Sequence, residues 1–201
     1  MKIEEAVKEL KKEKKRKFDQ TVDLIINLKN IDLKKPENRI KKEIELPHGR
    51  GKEAKVGIFS EKFGIGKAKI EEISKDKKKA KKLAKEYDFF IATADLMPFI
   101  GKTLGRYLAP RGKMPQPVPP TFTKEQIDKI IEKKKRSILI NVKTSPLIQV
   151  PVGKESMDEK EIVENVEHVL KTVVNALPKG RSQIKSVYLK LTMSKPIKIE
   201  W

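Results

Sequence analysis

Apolar and polar residues alternate in several segments near the two ends of the chain. The clearest segment is 184–193, in which Val187, Leu189 and Leu191 stand between polar or amphipathic residues. A period of two predicts a strand with one buried face. The same alternation predicts a strand over 18–28, and the apolar residues of 40–46 predict its partner strand.

Apolar residues at helical spacing predict amphipathic helices at both ends and in the middle of the chain. The predicted helices cover 3–16, 64–87, 95–108 and 158–177. A further helix is predicted after Thr123, which forms the pattern of a capping box with Gln126 and precedes an apolar side of Ile127, Ile130 and Ile131. The short continuous apolar run 56–59 predicts a strand buried on both faces, and 87–93 predicts a second strand of this type. The segments 137–142 and 147–152 predict a third and a fourth strand. Helices alternating with such strands predict a mainly parallel sheet, and the proline-rich segment 109–120 predicts a loop.

The terminal segments cannot each bury a core, because each supplies only one helix and one or two strands. We therefore predict an α/β protein of two domains. One is a discontinuous α+β split-sandwich domain (1–49 and 154–201), and the other is an inserted Rossmann-like three-layer α/β domain (50–153). The segments Pro47–Lys52 and Pro151–Lys154 are rich in glycine and proline and predict a two-strand hinge. The hinge positions are Pro47, Gly49, Gly51 and Gly153.

The charge balance limits the classes of molecule that this protein is expected to bind. Among 201 residues, 47 are lysine or arginine and 28 are aspartate or glutamate, which gives a net charge of +19. Such a charge favours a polyanion, with nucleic acid first and an anionic membrane surface second. No apolar run approaches the roughly 18 residues of a membrane span, so a cytoplasmic location fits. With no cysteine and 2 histidines, we expect no disulfide, metal site or cofactor.

The end of the strand over 184–193 carries residues suited to RNA. Thr192, Met193, Ser194 and Lys195 would place hydroxyls, backbone amides and a cation at one rigid edge. Such groups suit a ligand made of sugars and phosphates. An ordinary strand that enters a turn would have the same composition, so this segment alone leaves both interpretations open.

Several segments resemble one known family. They are Gly101–Pro115, with its run of glycines, basic residues and prolines, the turn Pro47–Lys52, the strand start Lys17–Thr21, and the final strand with Ser186–Tyr188 and Thr192-Met193. Taken in their order along the chain, they resemble the large-subunit ribosomal protein L-one family in its archaeal form. The resemblance spans essentially the whole chain.

The resemblance implies two domains, of which the discontinuous one grips RNA. It implies a structural constituent of the large ribosomal subunit that binds large-subunit rRNA at the mobile stalk near the tRNA exit site. There it would contact tRNA transiently and assist release of deacylated tRNA. Many family members also repress translation by binding their own mRNA. The implied protein is a ribosomal, cytoplasmic monomer when free, with no small-molecule substrate and no membrane.

The implied RNA-binding residues lie at both ends of the chain. They are Lys17, Phe18, Thr21, Lys154, Ser186, Tyr188, Thr192, Met193, Ser194 and Lys195, with possible secondary RNA or tRNA contacts from Arg106, Arg111 and Lys113. Phe18 could instead begin a core strand, and Arg111 and Lys113 could equally pack their loop. The family usually has glycine where this chain has Ser194, and serine adopts positive φ only at a cost.

Two other classes of protein fit the sequence less well. A nucleotide-binding enzyme would need a glycine-rich phosphate loop, but the segment 63–67 lacks the third glycine of a dinucleotide fingerprint and the spacing of a P-loop. No histidine or carboxylate cluster is placed as a catalytic group. A general DNA- or chromatin-binding protein would be expected to show a helix-turn-helix or finger pattern, which the sequence lacks. We therefore predict a protein that is not an enzyme.

Overall fold

The computed structural model describes residues 1–13, 16–33, 35, 38–142 and 145–201. The chain divides into two compact units, Met1–Glu53 with Arg136–Trp201 and Ala54–Lys135. Lys14 and Lys15 of the predicted first helix lie outside the described residues. Within the part of the chain that is described, no helix is long and apolar enough to cross a membrane.

Helices and strands are numbered in chain order. The strands are β1 (Thr21–Leu28), β2 (Ile40–Glu45), β3 (Val56–Phe59), β4 (Phe89–Thr93), β5 (Gln116–Val118), β6 (Ser137–Val142), β7 (Leu147–Lys154), β8 (Ile184–Leu191) and β9 (Ile197–Ile199). The helices are α1 (Ile3–Lys12), α2 (Lys67–Lys75), α3 (Lys77–Glu86), α4 (Met97–Thr103), α5 (Gly105–Leu108), α6 (Lys124–Lys135) and α7 (Glu159–Ala176). The mixed α/β class predicted from the sequence is confirmed.

The first unit is built on an antiparallel sheet with the strand order β7-β1-β8-β9. Every second residue of β1 is buried, and the same holds for β8 from Val187 onward, as their alternation predicts. The buried face shares one apolar core with residues of α1 and α7, among them Leu10 and Val169. The opposite face of β1 and β8 stays partly exposed, so it can carry polar groups for a partner.

The strands after the second unit differ from the prediction. β6 pairs antiparallel with β2, and β7 pairs antiparallel with β1, so both belong to the first unit. The second boundary therefore lies between Lys135 and Arg136 and not at 153/154. A short apolar strand fits an antiparallel or a parallel neighbour equally well, which is why the pattern alone misplaced both strands.

The structure also differs from the predicted two-strand hinge. Gly153 lies inside β7, opposite Val22. A Cβ on Gly153 would come within 3.2 Å of Ile162 Cγ1, so this glycine allows close packing of α7. Gly49 and Gly51 do form a turn with positive φ, and the buried Asn165 donates to the carbonyl of Gly49 over 2.7 Å. The turn is thus anchored to α7.

The second unit holds a parallel sheet in the order β3-β4-β5. β5 lies in the segment that was predicted as a proline-rich loop, and its position at the sheet edge suits Pro117. The helix predicted over 95–108 is divided at Leu104 into α4 and α5. At the start of α6 the backbone of Thr123 donates to Gln126 Oε1 over 3.1 Å, as the capping pattern predicts.

Candidate RNA interface

The ends of β1 and β8 are joined by two threonines. Beyond the last strand pair, Val22 with Leu191, the N–H of Thr192 donates to the carbonyl of Thr21 over 3.1 Å. The N–H of Thr21 donates to Thr192 Oγ1 over 3.2 Å. The hydroxyl of Thr192 therefore fixes the place where residues from the two ends of the chain meet, and it retains a lone pair for a further donor.

The chain turns sharply after β8. The hydroxyl of Ser194 accepts the N–H of Leu191 over 2.9 Å, and the N–H of Ser194 donates to the carbonyl of Leu191 over 3.1 Å. Ser194 does not have positive φ; among the described non-glycine residues only Asn30 does. The cost expected for serine in place of glycine does not arise, because Ser194 does not need positive φ. Its side chain instead closes the turn.

The segment before β1 is tied to the loop after β7. Asp19 accepts the hydroxyl of Ser156 over 3.0 Å, and its carbonyl accepts Lys154 Nζ over 2.8 Å. The ammonium group of Lys154 is thus used in part to position this segment. Gln20 joins the same two segments to the turn at Met193. Sequence reasoning missed Asp19, Gln20 and Ser156, because nothing in their local pattern marks partners that are so far away in the chain.

Two large apolar side chains are exposed at this corner. Phe18 is 52% exposed and Met193 is 60% exposed. Phe18 precedes β1, which begins only at Thr21, so the alternative that it starts a core strand is wrong. We call the group Lys17, Phe18, Thr21, Thr192, Met193, Ser194 and Lys195 the recognition surface; all seven are exposed or half-buried. Exposed apolar groups beside cations and hydroxyls fit unstacked bases and phosphates.

The partly exposed sheet face extends from the recognition surface toward the start of β8. Tyr188 lies opposite Ile25, and the hydroxyl of Ser186 accepts Asn27 Nδ2 over 3.0 Å. Ser186 and Thr192 are six positions apart along extended chain, a distance of about 20 Å. The structure therefore places Ser186 and Tyr188 on this face but away from the turn.

One carboxyl group on this face is electrostatically unfavourable. Asp23 lies opposite Lys190 on β8, and its side chain is half-buried. Burial raises the pKa of Asp23, and the charge of Lys190 offsets part of that rise. Ionisation of Asp23 therefore costs the folded protein more than the unfolded chain.

The possible secondary contacts belong to the second unit. The ammonium group of Lys113 donates to the carbonyls of Ala84 and Tyr87 over 3.2 and 2.7 Å, at the end of α3. Its side chain is 20% exposed, so its contacts are those of a helix cap. Arg106 stacks on the ring of Tyr107 at 4.9 Å, and Arg111 is exposed.

The glycine-rich loop after β3 is occupied by contacts within the chain. The N–H groups of Gly64 and Ile65 donate to the carbonyls of Ser60 and Ile58. Glu61 Oε1 accepts the first amide of α2 over 3.0 Å. A Cβ on Gly64 would lie 2.2 Å from the oxygen of Ile58, so the glycine is required for packing. The amides of Gly64, Ile65 and Lys67, which a phosphate could otherwise use, are thus already bonded within the chain.

Comparison with known proteins gives one consistent result. The model of the Ribosomal protein L1p/L10e family matches residues 10–195. Large ribosomal subunit protein uL1 of Thermococcus kodakarensis is 48% identical over 99% of this chain and 97% of that protein. The protein of the same name from Pyrococcus horikoshii is 48% identical over 99% and 95%, and that from Methanocaldococcus jannaschii is 46% identical over 98% and 94%. The chain therefore belongs to the Ribosomal protein L1p/L10e family.

Proposed function

We propose that this protein is a structural constituent of the large ribosomal subunit that binds large-subunit rRNA through the recognition surface. Family membership supports the ribosomal role and a protein that is not an enzyme. The observation that supports the site is the junction of Thr21 and Thr192, beside which Phe18 and Met193 stay exposed. Exposure of apolar side chains to water is unfavourable for the protein without RNA. A base stacked on these side chains would bury them and recover that free energy.

The proposed binding mode combines a nonspecific and a specific contribution. Lys17 and Lys195 are exposed and would contact phosphates, as the net charge of +19 favours. The hydroxyl of Thr192 and the backbone of the turn would contact base edges and 2′-hydroxyls, and the 2′-hydroxyls distinguish RNA from DNA. The sheet face that carries Tyr188 and Ser186 would extend this contact along several nucleotides.

The remaining parts of the proposal follow the family resemblance. We place the protein on the mobile stalk near the tRNA exit site, where it would assist release of deacylated tRNA. We also propose that it represses translation of its own mRNA, since an RNA that copies the rRNA site would meet the same surface. The parallel strands β3, β4 and β5 with their helices support a Rossmann-like arrangement of the second unit. We assign that unit no nucleotide, because its loop amides are bonded internally.

The direct test is crosslinking of the protein to RNA in cells, followed by sequencing of the attached RNA. The proposal predicts one dominant site in large-subunit rRNA and a second site in the protein's own mRNA. Crosslinked peptides should come from 17–21 and 192–195. Random coverage of the transcriptome, or crosslinks confined to the second unit, would contradict it.

A further inference from the structure

Gln20 lies buried beneath the recognition surface, and it is only 2% exposed. Its side-chain Oε1 accepts the N–H of Met193 over 3.1 Å, and its Nε2 donates to Glu155 Oε2 over 3.2 Å. Its own carbonyl accepts the N–H of Glu155 over 2.9 Å. One residue thus joins three segments: the approach to β1, the loop after β7 and the turn after β8.

These contacts require a carboxamide. The N–H of Met193 needs an acceptor, and the carboxylate of Glu155 needs a donor. Glutamate could accept from Met193 but would face Glu155 with a second carboxylate, and methionine would leave both groups without a partner. Since Gln20 is buried, water does not readily replace either hydrogen bond.

We propose that Gln20 is a positioning residue for RNA recognition. Its Oε1 holds the backbone of Met193 where Thr192 and Met193 can contact the RNA. The hydrogen bond to Glu155 in turn fixes the position of the Gln20 side chain. This inference rests on the proposed function, because it concerns the same surface. Gln20 need not touch the RNA. Its loss reduces the fraction of molecules in which the turn is placed for binding, and the apparent dissociation constant rises by the inverse of that fraction.

The test is a double-mutant cycle between Gln20 and Glu155 in the full-length protein. The probe is an in vitro transcript of the large-subunit rRNA of Thermococcus kodakarensis, with random duplex RNA as competitor. Gln20→Glu should bind about tenfold more weakly, because it opposes two carboxylates. Glu155→Gln should bind nearly as the wild type, since an amide oxygen still accepts from Gln20. In the double variant Gln20→Glu/Glu155→Gln the hydrogen bond between positions 20 and 155 is restored with donor and acceptor exchanged, and position 20 still accepts the N–H of Met193. Its affinity should therefore recover to within about threefold of the wild type.

Gln183 supplies a matched control at the other end of β8. It is also buried, at 4% exposed, and its side chain accepts the N–H of Lys179 over 3.0 Å. Gln183→Met should lower the thermal unfolding midpoint about as much as Gln20→Met but leave RNA affinity within about twofold. Gln20→Met should lower affinity about tenfold.

The outcomes separate the two proposals. If the wild-type protein shows no preference for the rRNA transcript over duplex RNA, the proposed function fails. If the wild type prefers rRNA and the Gln20 variants bind equally well, the function stands and the positioning role of Gln20 is overturned. If Gln20→Glu binds weakly and Glu155→Gln does not restore it, the effect is that of a buried charge, and the link through Glu155 is overturned.

Discussion

The hydroxyl of Thr192 accepts the backbone N–H of Thr21 over 3.2 Å, although the two residues are 171 positions apart. This hydrogen bond closes the pairing of β1 with β8 at the point where the recognition surface begins. Folding of the first unit therefore assembles the surface from residues at both ends of the chain. Neither end carries it alone, so the binding activity should be lost whenever this strand pair opens.

The turn after β8 should depend on the serine hydroxyl. Ser194→Ala removes the acceptor of the Leu191 N–H, and we expect the free energy of unfolding to fall by about 1 kcal/mol. Ser194→Gly should cost more, by roughly a further 0.5–1 kcal/mol, because glycine adds freedom to the unfolded chain without gaining a positive-φ position. Urea unfolding measures both changes. A glycine variant as stable as the wild type would contradict the assignment of the hydroxyl as a turn closure.

Lys113 should stabilise the second unit rather than bind RNA. Lys113→Met removes the donor to the carbonyls of Ala84 and Tyr87, and we expect a loss of about 1–3 kcal/mol in unfolding free energy. RNA affinity should stay within about twofold, a limit that a lost phosphate contact at low salt would exceed. Arg111→Ala, at an exposed neighbour, is the control and should leave stability within about 0.5 kcal/mol. Weaker RNA binding by Lys113→Met at unchanged stability would show that the contact is with RNA.

Asp23 should make the stability of the first unit depend on pH. Burial raises its pKa above the ordinary value of 3.8, so ionisation costs the folded state more than the unfolded state. Stability should therefore fall as pH rises through this range, and Asp23→Asn should raise the unfolding midpoint at neutral pH. The gain should vanish below the ordinary pKa, where both states are protonated. Calorimetry at neutral pH and at a pH below 3.8 tests this prediction. A variant Asp23→Asn that is less stable than the wild type at neutral pH would contradict it.

Local patterns were sufficient to predict most elements. The period of two in β1 and β8 and the helical spacing in α1 and α7 correctly predicted which residues are buried, because each such face meets the core directly. The part of the capping pattern in which Gln126 accepts the N–H of Thr123 was confirmed for the same reason, since the two residues are three positions apart. The resemblance added the residues of the recognition surface, which local patterns alone left ambiguous.

Local sequence patterns did not predict which strands and side chains pair across long distances in the chain. The strand 137–142 is mainly apolar, with Ile138, Leu139, Ile140 and Val142, which suits a parallel neighbour in the second unit as well as its actual antiparallel partner β2. The bonds of Gln20 to Glu155 and Met193 join residues 135 and 173 positions apart, and no sequence spacing signals them. The folded structure was needed to find the groups that hold the surface in place.

Salt dependence should separate phosphate contacts from specific ones. The logarithm of the rRNA association constant should fall by about 0.7–0.9 per log unit of salt for each phosphate contacted. The Lys17→Ala variant should reduce this slope by about one contact and weaken binding to all RNAs alike. Preference for the rRNA transcript over duplex DNA should persist at high salt. If the preference disappears as salt rises, recognition is electrostatic and the turn is not its source.

The central claim is that the strand ends joined by Thr21 and Thr192 recognise rRNA, and Thr192→Val tests it most directly. The substitution keeps the side-chain shape and removes the hydroxyl. Thr172→Val on α7 makes the same change at a hydroxyl that donates to the carbonyl of His168 within its own helix. Dissociation kinetics on the same rRNA transcript should show Thr192→Val binding about 5- to 100-fold more weakly, mainly through faster dissociation. Thr172→Val and Lys12→Ala should change affinity by less than about threefold. Equal losses from Thr192→Val and Lys12→Ala would contradict the account, because binding would then be diffuse electrostatic attraction.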